Sequence, residues 1–215
     1  MKNRKTNFIM LMLSSVLCLT ACNNAAAQST VKIGNQEWMT NNLNVSTFKN
    51  GDAIPEAKSD EAWINAGHEG KPAWCYYDND PENGNKYGRL YNWYAVTDPR
   101  GLAPSGWHIP SDEEWTTLAD NLGGDDDAAG KKMKSKAGWY DNGNGSNTSG
   151  FSGLPGGGRN DDGPFYYIGS YGTWWSSTED SADGAWGRGL SYGDGSVDRG
   201  DGSKTHGFSV RCLRD

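Results

Sequence analysis

The chain is short of basic charge. Its 215 residues hold 20 Lys and Arg against 27 Asp and Glu, a net charge of −7. A nucleic-acid binder needs a basic face, so that class of partner is excluded. Long apolar runs are missing too. The longest, Phe8 to Leu19, covers twelve residues broken by Ser14 and Ser15, below the ~20 that cross a bilayer as a helix. With only 4 Cys, no Cys-x-x-Cys, and His68, His108 and His206 scattered, there is no zinc-site spacing. Gly-x-Ser-x-Gly is absent, and Gly153 to Gly158 lacks the Gly-Lys-Ser/Thr ending of a phosphate loop. Acids are plentiful, but no spacing singles out a catalytic pair. No period of ~20–50 residues recurs, which argues against solenoids and propellers. These absences lead to the expectation of a protein that is not an enzyme and carries no cofactor, apart from the calcium considered below.

What is present in excess is glycine and large rings: 30 Gly, 10 Trp and 10 Tyr. Disordered low-complexity chains are poor in aromatics, so this composition predicts a loop-rich fold held together by indole and phenol rings.

The first residues are a targeting signal. Met1-Lys2-Asn3-Arg4-Lys5 is basic, the apolar run follows, and Leu19-Thr20-Ala21-Cys22 resembles a bacterial lipobox. Residues 1–21 are therefore expected to leave as a lipoprotein signal peptide, with Cys22 lipidated and 22–30 forming a flexible tether. The alternative is an ordinary secretory signal cleaved near Ala25-Ala26-Ala27. Losing Lys2, Arg4 and Lys5 would leave 17 basic and 27 acidic side chains, a net charge of −10. An anionic surface would repel such a chain, so the membrane partner is reached through the Cys22 lipid alone. The expected location is the cell envelope of a Gram-negative bacterium, at the outer membrane.

Cys18 departs with the signal, and Cys75 and Cys212 remain as an even pair in an oxidising compartment. They are assigned as a disulfide, worth about 5 kcal/mol in the chain-entropy model. Two separately buried thiols are the alternative.

Along the chain, Val31 to Met39 reads as a hairpin turning at Gly34-Asn35. Residues 59 to 67 read as a two-turn helix capped by Ser59 or Asp60 and closed by Gly67. Ser111 and Glu114 form a capping box ahead of Trp115, Leu118, Ala119 and Leu122 at i, i+3, i+4 and i+7, which predicts the main helix over 111–122. Asp125-Asp126-Asp127 followed by Lys131-Lys132-Met133-Lys134 predicts a further short helix with charges matched to its dipole. Beyond residue 137, short aromatic strands alternate with glycine-rich loops. Trp174 and Trp175, adjacent on a strand, face opposite ways and are read as core.

Several motifs belong together. They are Trp38-Met39-x-x-Asn42-Leu43, Tyr87-Gly88-Arg89-Leu90-Tyr91-Asn92-Trp93, Gly106-Trp107-His108-Ile109-Pro110-Ser111-Asp112-Glu113-Glu114-Trp115, Gly150-Phe151-Ser152-Gly153-Leu154-Pro155, Trp174-Trp175-Ser176-Ser177 and Gly207-Phe208-Ser209-Val210-Arg211-Cys212. This set resembles the Fibrobacter succinogenes major paralogous domain of bacterial secreted proteins and lipoproteins, over residues 31–215. That family brings no established activity. A more distant similarity, carried by Pro110 to Trp115, a later Trp-Ser and a terminal Gly-Phe-x-x-Arg, is to formylglycine-generating-enzyme-like domains. It implies an α+β, C-type-lectin-like domain with two or three short helices, short twisted antiparallel strands, long loops and adjacent termini, Val31 to Ile33 lying near Phe208 to Val210. The paired copper-binding cysteines of that enzyme have no counterpart here, so no catalysis is carried over.

Two candidate sites follow. Asp78, Asp80 and Glu82 offer oxygens at alternate positions for a structural calcium, although Asn83 and Arg89 stand where an EF-hand requires Gly and Glu. Trp186, Arg188, Tyr192, Asp194 and Arg199 lie among glycines and suit a ligand platform. The rings would stack on sugar faces while Arg and Asp pair with hydroxyls. The expected function is thus a lipid-anchored, non-catalytic binding module for a glycan or cell-surface protein. A structural envelope component, or an enzyme of unrecognised type, is the alternative.

Overall fold

A computed structural model describes residues 28–124 and 128–215. The signal segment, Cys22 and the acidic triplet Asp125 to Asp127 lie outside the described residues.

The chain starts with the expected hairpin, β1 (Thr30–Ile33) and β2 (Gln36–Met39). Next come α1 (Asp60–His68), β3 (Trp74–Cys75), α2 (Pro81–Tyr87), β4 (Leu90–Tyr91), α3 (Trp93–Val96), β5 (Trp107–His108), α4 (Asp112–Asn121) and α5 (Ala129–Met133). The second half is β6 (Gly156–Arg159), β7 (Phe165–Ile168), β8 (Tyr171–Glu179), β9 (Gly184–Ser191), β10 (Asp198–Ser203) and, at the end, β11 (Leu213–Arg214). About 22% helix and 30% strand among the described residues are compatible with the α+β class.

Three sheets form. One has the order β1-β2-β11-β5, a second β10-β9-β8-β6-β7, and β3 pairs with β4. The first and last strands of the described residues share a sheet, but through β2: Leu213 pairs with Trp38, and β1 lies outside it. The run from Phe208 to Val210 serves instead as a stitch between sheets, bridging Tyr91 at Phe208 and Trp174 at Ser209. The Leu43 amide donates to the Val210 carbonyl at 2.8 Å.

α4 forms for the reason its sequence states. The Ser111 hydroxyl accepts from the Glu114 amide while the Glu114 carboxylate accepts from the Ser111 amide, occupying two donors that a helix start would otherwise leave open. Trp115, Leu118 and Ala119 are fully buried. α1 is capped by Ser59, but Gly67 does not close it. This glycine lies inside the helix, where an added Cβ would stand 2.8 Å from the Thr205 side chain. It is there for close packing.

Five helices exist among the described residues, more than the two or three expected. The unforeseen α2 is written as Asp80-Pro81-Glu82. The Asp80 carboxylate accepts from the Glu82 amide at 2.9 Å, and Pro81 occupies the first turn, where its missing N–H costs nothing.

The adjacent tryptophans divide as the strand period demands. Trp174 enters the core holding Trp38, Trp115 and Phe151, and Trp175 the core holding Tyr91, Trp107 and Phe208. In the first, Trp38 and Trp115 lie 4.8 Å apart and Phe151 meets Trp174 edge-on at 5.9 Å. A third cluster joins Trp63, Tyr77 and Leu90. The expected disulfide is absent. Cys75 sits in this third cluster and Cys212 in the Trp175 core, both free and fully buried. Burial pushes each thiol up to about 12.

Candidate functional site

Aromatic rings cover buried cations throughout this fold. Arg211, with no exposed surface, donates to the carbonyls of Met39 and Phe151 and to the Asn42 side-chain oxygen, and lies 4.4 Å from the Phe151 ring. Arg159 is equally buried, donating to Ala57 and Gly163 carbonyls and to Asp60 between the Trp63 and Phe165 rings. Burying a cation is costly unless it finds acceptors, and main-chain carbonyls supply most of those found here. These residues hold loops to sheets.

Arg188, read from the sequence as a ligand-binding residue, is placed by the structure among these buried arginines, with its Nε buried and without an acceptor among the described residues. It is 3% exposed. Its guanidinium donates to the Asp112 carboxylate at 2.5 Å, the Asp112 carbonyl at 3.0 Å and the Thr116 hydroxyl at 2.9 Å. It therefore locks β9 to the first turn of α4. Asp112 also receives Arg199 at 2.9 and 3.0 Å, and Arg199 lies 3.4 Å from the centre of the Trp186 ring. Trp186, Arg199, Asp112 and Arg188 thus form one stack, with one face of the indole already occupied by a guanidinium. Burial acts to raise the Asp112 pKa, but the hydrogen bonds from Arg199 and Arg188 outweigh it and hold the carboxyl below its ordinary value. Nothing in the sequence marked Asp112 beyond being an acid in a first helical turn.

Tyr192 and Asp194 are elsewhere. Trp186 and Tyr192 are six positions apart along extended chain, about 20 Å at the usual rise, so the five residues expected in one platform divide between the two ends of β9. Tyr192 is 39% exposed. It borders an open pocket of about 460 Å³ with Asp194, Asp141, Asn142, Asn144 and Lys131. That volume is in the range of ligand sites, and its lining is of hydrogen-bonding groups beside a phenol ring. The loop carrying Asp141 to Asn144 packs backbone against backbone: at Gly143 an added Cβ would fall 2.2 Å from the Tyr192 carbonyl oxygen. On the other side, the Tyr192 amide donates to the Ser170 carbonyl at 2.9 Å. Asp194 accepts from the Ser196 amide and hydroxyl, and its carbonyl accepts from the buried Lys134 ammonium. Asp141, Asn142 and Asn144 were not foreseen. Their segment read as a polar loop, and their approach to Tyr192 is a tertiary event.

The calcium assignment is not supported by placement. Asp80 is engaged as the α2 cap, and Asp78 stands in a left-handed turn at φ 54°. Among the described residues no group of three or more His, Cys, Asp or Glu could hold a metal ion. No helix among them is long and apolar enough to cross a membrane.

Residues 31–214 match the family described as the Fibrobacter succinogenes major domain, and the chain belongs to that family. No curated protein and no solved structure gives a match.

Proposed function

We propose that this member of the Fibrobacter succinogenes major domain family is a lipid-anchored, non-catalytic binding module of the Gram-negative cell envelope, taking a glycan or protein ligand at the Tyr192 end of β9. The observation that carries the reading is the pocket itself. A half-exposed ring stands beside carboxylates and amides on loops that a rigid aromatic core holds in place, an arrangement suited to binding. Basic start, short apolar core and Cys22 support the anchor. The adjacent terminal strands, short helices and long loops support a C-type-lectin-like arrangement.

Arrays of glycans and of envelope proteins probed with the full-length chain in detergent test the site. Binding that falls on Tyr192→Ala or Asp194→Ala, with near-ultraviolet circular dichroism unchanged, is the expected result. Chemical turnover of any arrayed compound would overturn the non-catalytic part. For the anchor, intact mass should show lipid on Cys22 and Cys22→Ala should release the protein from membranes; an unlipidated wild type beginning near Gln28 would refute it.

A further inference from the structure

The large apolar side chains exposed among the described residues are three tyrosines, Tyr140, Tyr167 and Tyr192, at 59%, 65% and 39% exposure. Far apart in sequence, they converge on one turn, the β7–β8 connection at Gly169-Ser170. The Tyr192 amide donates to the Ser170 carbonyl and the Tyr140 amide to the Gly169 carbonyl, both at 2.9 Å. The Tyr140 ring lies directly on Gly169, where an added Cβ would stand 2.9 Å from it. Tyr167 enters the same turn and accepts from the Ser170 amide and hydroxyl.

The backbone here is strained in a way that serves exposure. Tyr167 has φ 61°, and Asp141 and Asn142 have φ 46° and 60°. A left-handed conformation is tolerable for Asp and Asn but is an outlier for a bulky residue, a strain that the surroundings must offset. The result at Tyr167 is an aromatic ring placed in water beside Tyr166 at 5.2 Å and Tyr171 at 6.5 Å. Hydrophobicity alone would turn that ring inward. Exposed rings gathered on one turn, next to a polar pocket, mark a binding surface.

We infer that Tyr192, Tyr140 and Tyr167 form, with the pocket at Asp194 and Asn142, one extended site for a linear neutral polysaccharide. The inference rests on the proposed binding role and gives it a ligand class. The rings offer apolar faces to the C–H faces of successive pyranoses, and their hydroxyl ends stay wet. Asp141, Asp194, Asn142 and Asn144 accept and donate hydrogen bonds to sugar hydroxyls. The pocket itself is charge-balanced, Asp141 and Asp194 standing with Lys131 and Lys134, and a polyanion is disfavoured by the net charge of −7 on the chain as a whole. Three rings rather than one imply contact with several sugar units.

The test is calorimetry on the full-length chain in detergent with neutral gluco-, xylo-, manno- and galacto-oligosaccharides, di- to hexasaccharide, and with polygalacturonate as the acidic comparison. For at least one neutral series, affinity should rise by about tenfold or more with length. Tyr140→Ala and Tyr167→Ala should each weaken the hexasaccharide by about three- to tenfold, the size of one aromatic contact, and leave the disaccharide nearly unaffected. Tyr192→Ala should weaken both. Each Tyr→Phe variant should bind nearly as wild type, which separates lost stacking from lost folding. Hexasaccharide affinity equal to disaccharide affinity, or insensitive to Tyr140→Ala and Tyr167→Ala, would refute the extended site; retained sensitivity to Tyr192→Ala would leave the binding role standing. Preference for polygalacturonate would refute the neutral class, and no binding to any sugar would refute both it and the glycan half of the proposed function.

Discussion

Replacing Asn42 by alanine should be among the most damaging single changes available in this domain. The Asn42 side-chain oxygen accepts three hydrogen bonds, from Trp174 Nε1 at 2.8 Å and from Arg211 Nε and Nη2 at 3.0 and 2.7 Å. Its amide nitrogen donates to the Tyr87 carbonyl at 2.8 Å and the Ser209 hydroxyl at 3.2 Å. One short side chain thus ties the segment after β2 to the end of α2, to β8 and to the C-terminal stitch. Arg211 is fully buried, and burial lowers its pKa to about 9. It still carries charge at neutral pH. Asn42→Ala would leave two of its donors and one indole N–H without acceptors. Bonds to a charged group are worth about 1.5–3 kcal/mol, and an orphaned buried donor costs about 1–3. Because water can enter beside half-buried Asn42 and recover part of the loss, we expect about 3–5 kcal/mol, or about 6–20 °C in Tm for a domain of this size. Urea denaturation followed by tryptophan fluorescence measures it, with the m-value unchanged. A double-mutant cycle with Arg211→Met should give a coupling of about 1–3 kcal/mol. A loss below about 1 kcal/mol, or strict additivity, would show that Asn42 does not hold the arginine and would refute this reasoning.

Three further outcomes are expected. Cys75 and Cys212, raised to about 12 by burial, should resist thiol reagents in the native protein and react fully in denaturant, and reductant should leave the urea midpoint unchanged; a midpoint lowered by reductant would reveal a bridge. Asp112→Asn removes the carboxylate between Arg188 and Arg199 and should cost about 3–5 kcal/mol because Arg188 stays buried without its counter-charge, while Arg199→Met, at a side chain 41% exposed, should cost under about 1 kcal/mol; equal losses would show that the burial of Arg188 is not what matters. At His108, burial opposes charging, but hydrogen bonds to Asp215 and Glu114, each 3.0 Å, outweigh it and raise the pKa. The stability it contributes is complete below its unfolded value of about 6.5 and is lost as pH rises through the higher folded value. His108→Gln should therefore destabilise more on the acid side of that window than on the alkaline side, and a pH-independent difference would contradict the ion-pair clamp.

The local elements were legible wherever chemistry within a few residues decides the outcome. The Val31 to Met39 hairpin follows from its turn residues, α4 from the reciprocal Ser111 and Glu114 bonds, and the split burial of Trp174 and Trp175 from the period of two. The family was legible in ordered motifs. What only tertiary structure decided is which partner each polar or sulfur group finds. Asp80 could coordinate an ion or cap a helix, and Pro81 with the Glu82 amide made it a cap. Cys75 and Cys212 are an even pair by count, yet they were carried into different cores, and no counting of thiols reveals that. Arg188 sits among glycines in sequence like a surface residue, but glycine gives it no cover on its own strand. α4 arrives from 76 positions away to bury it against Asp112. Tyr140, Tyr167 and Tyr192 share no spacing at all. Their convergence on Gly169-Ser170 depends on loop closure and sheet register, which arise from contacts between distant segments and so leave no local trace in the order of residues.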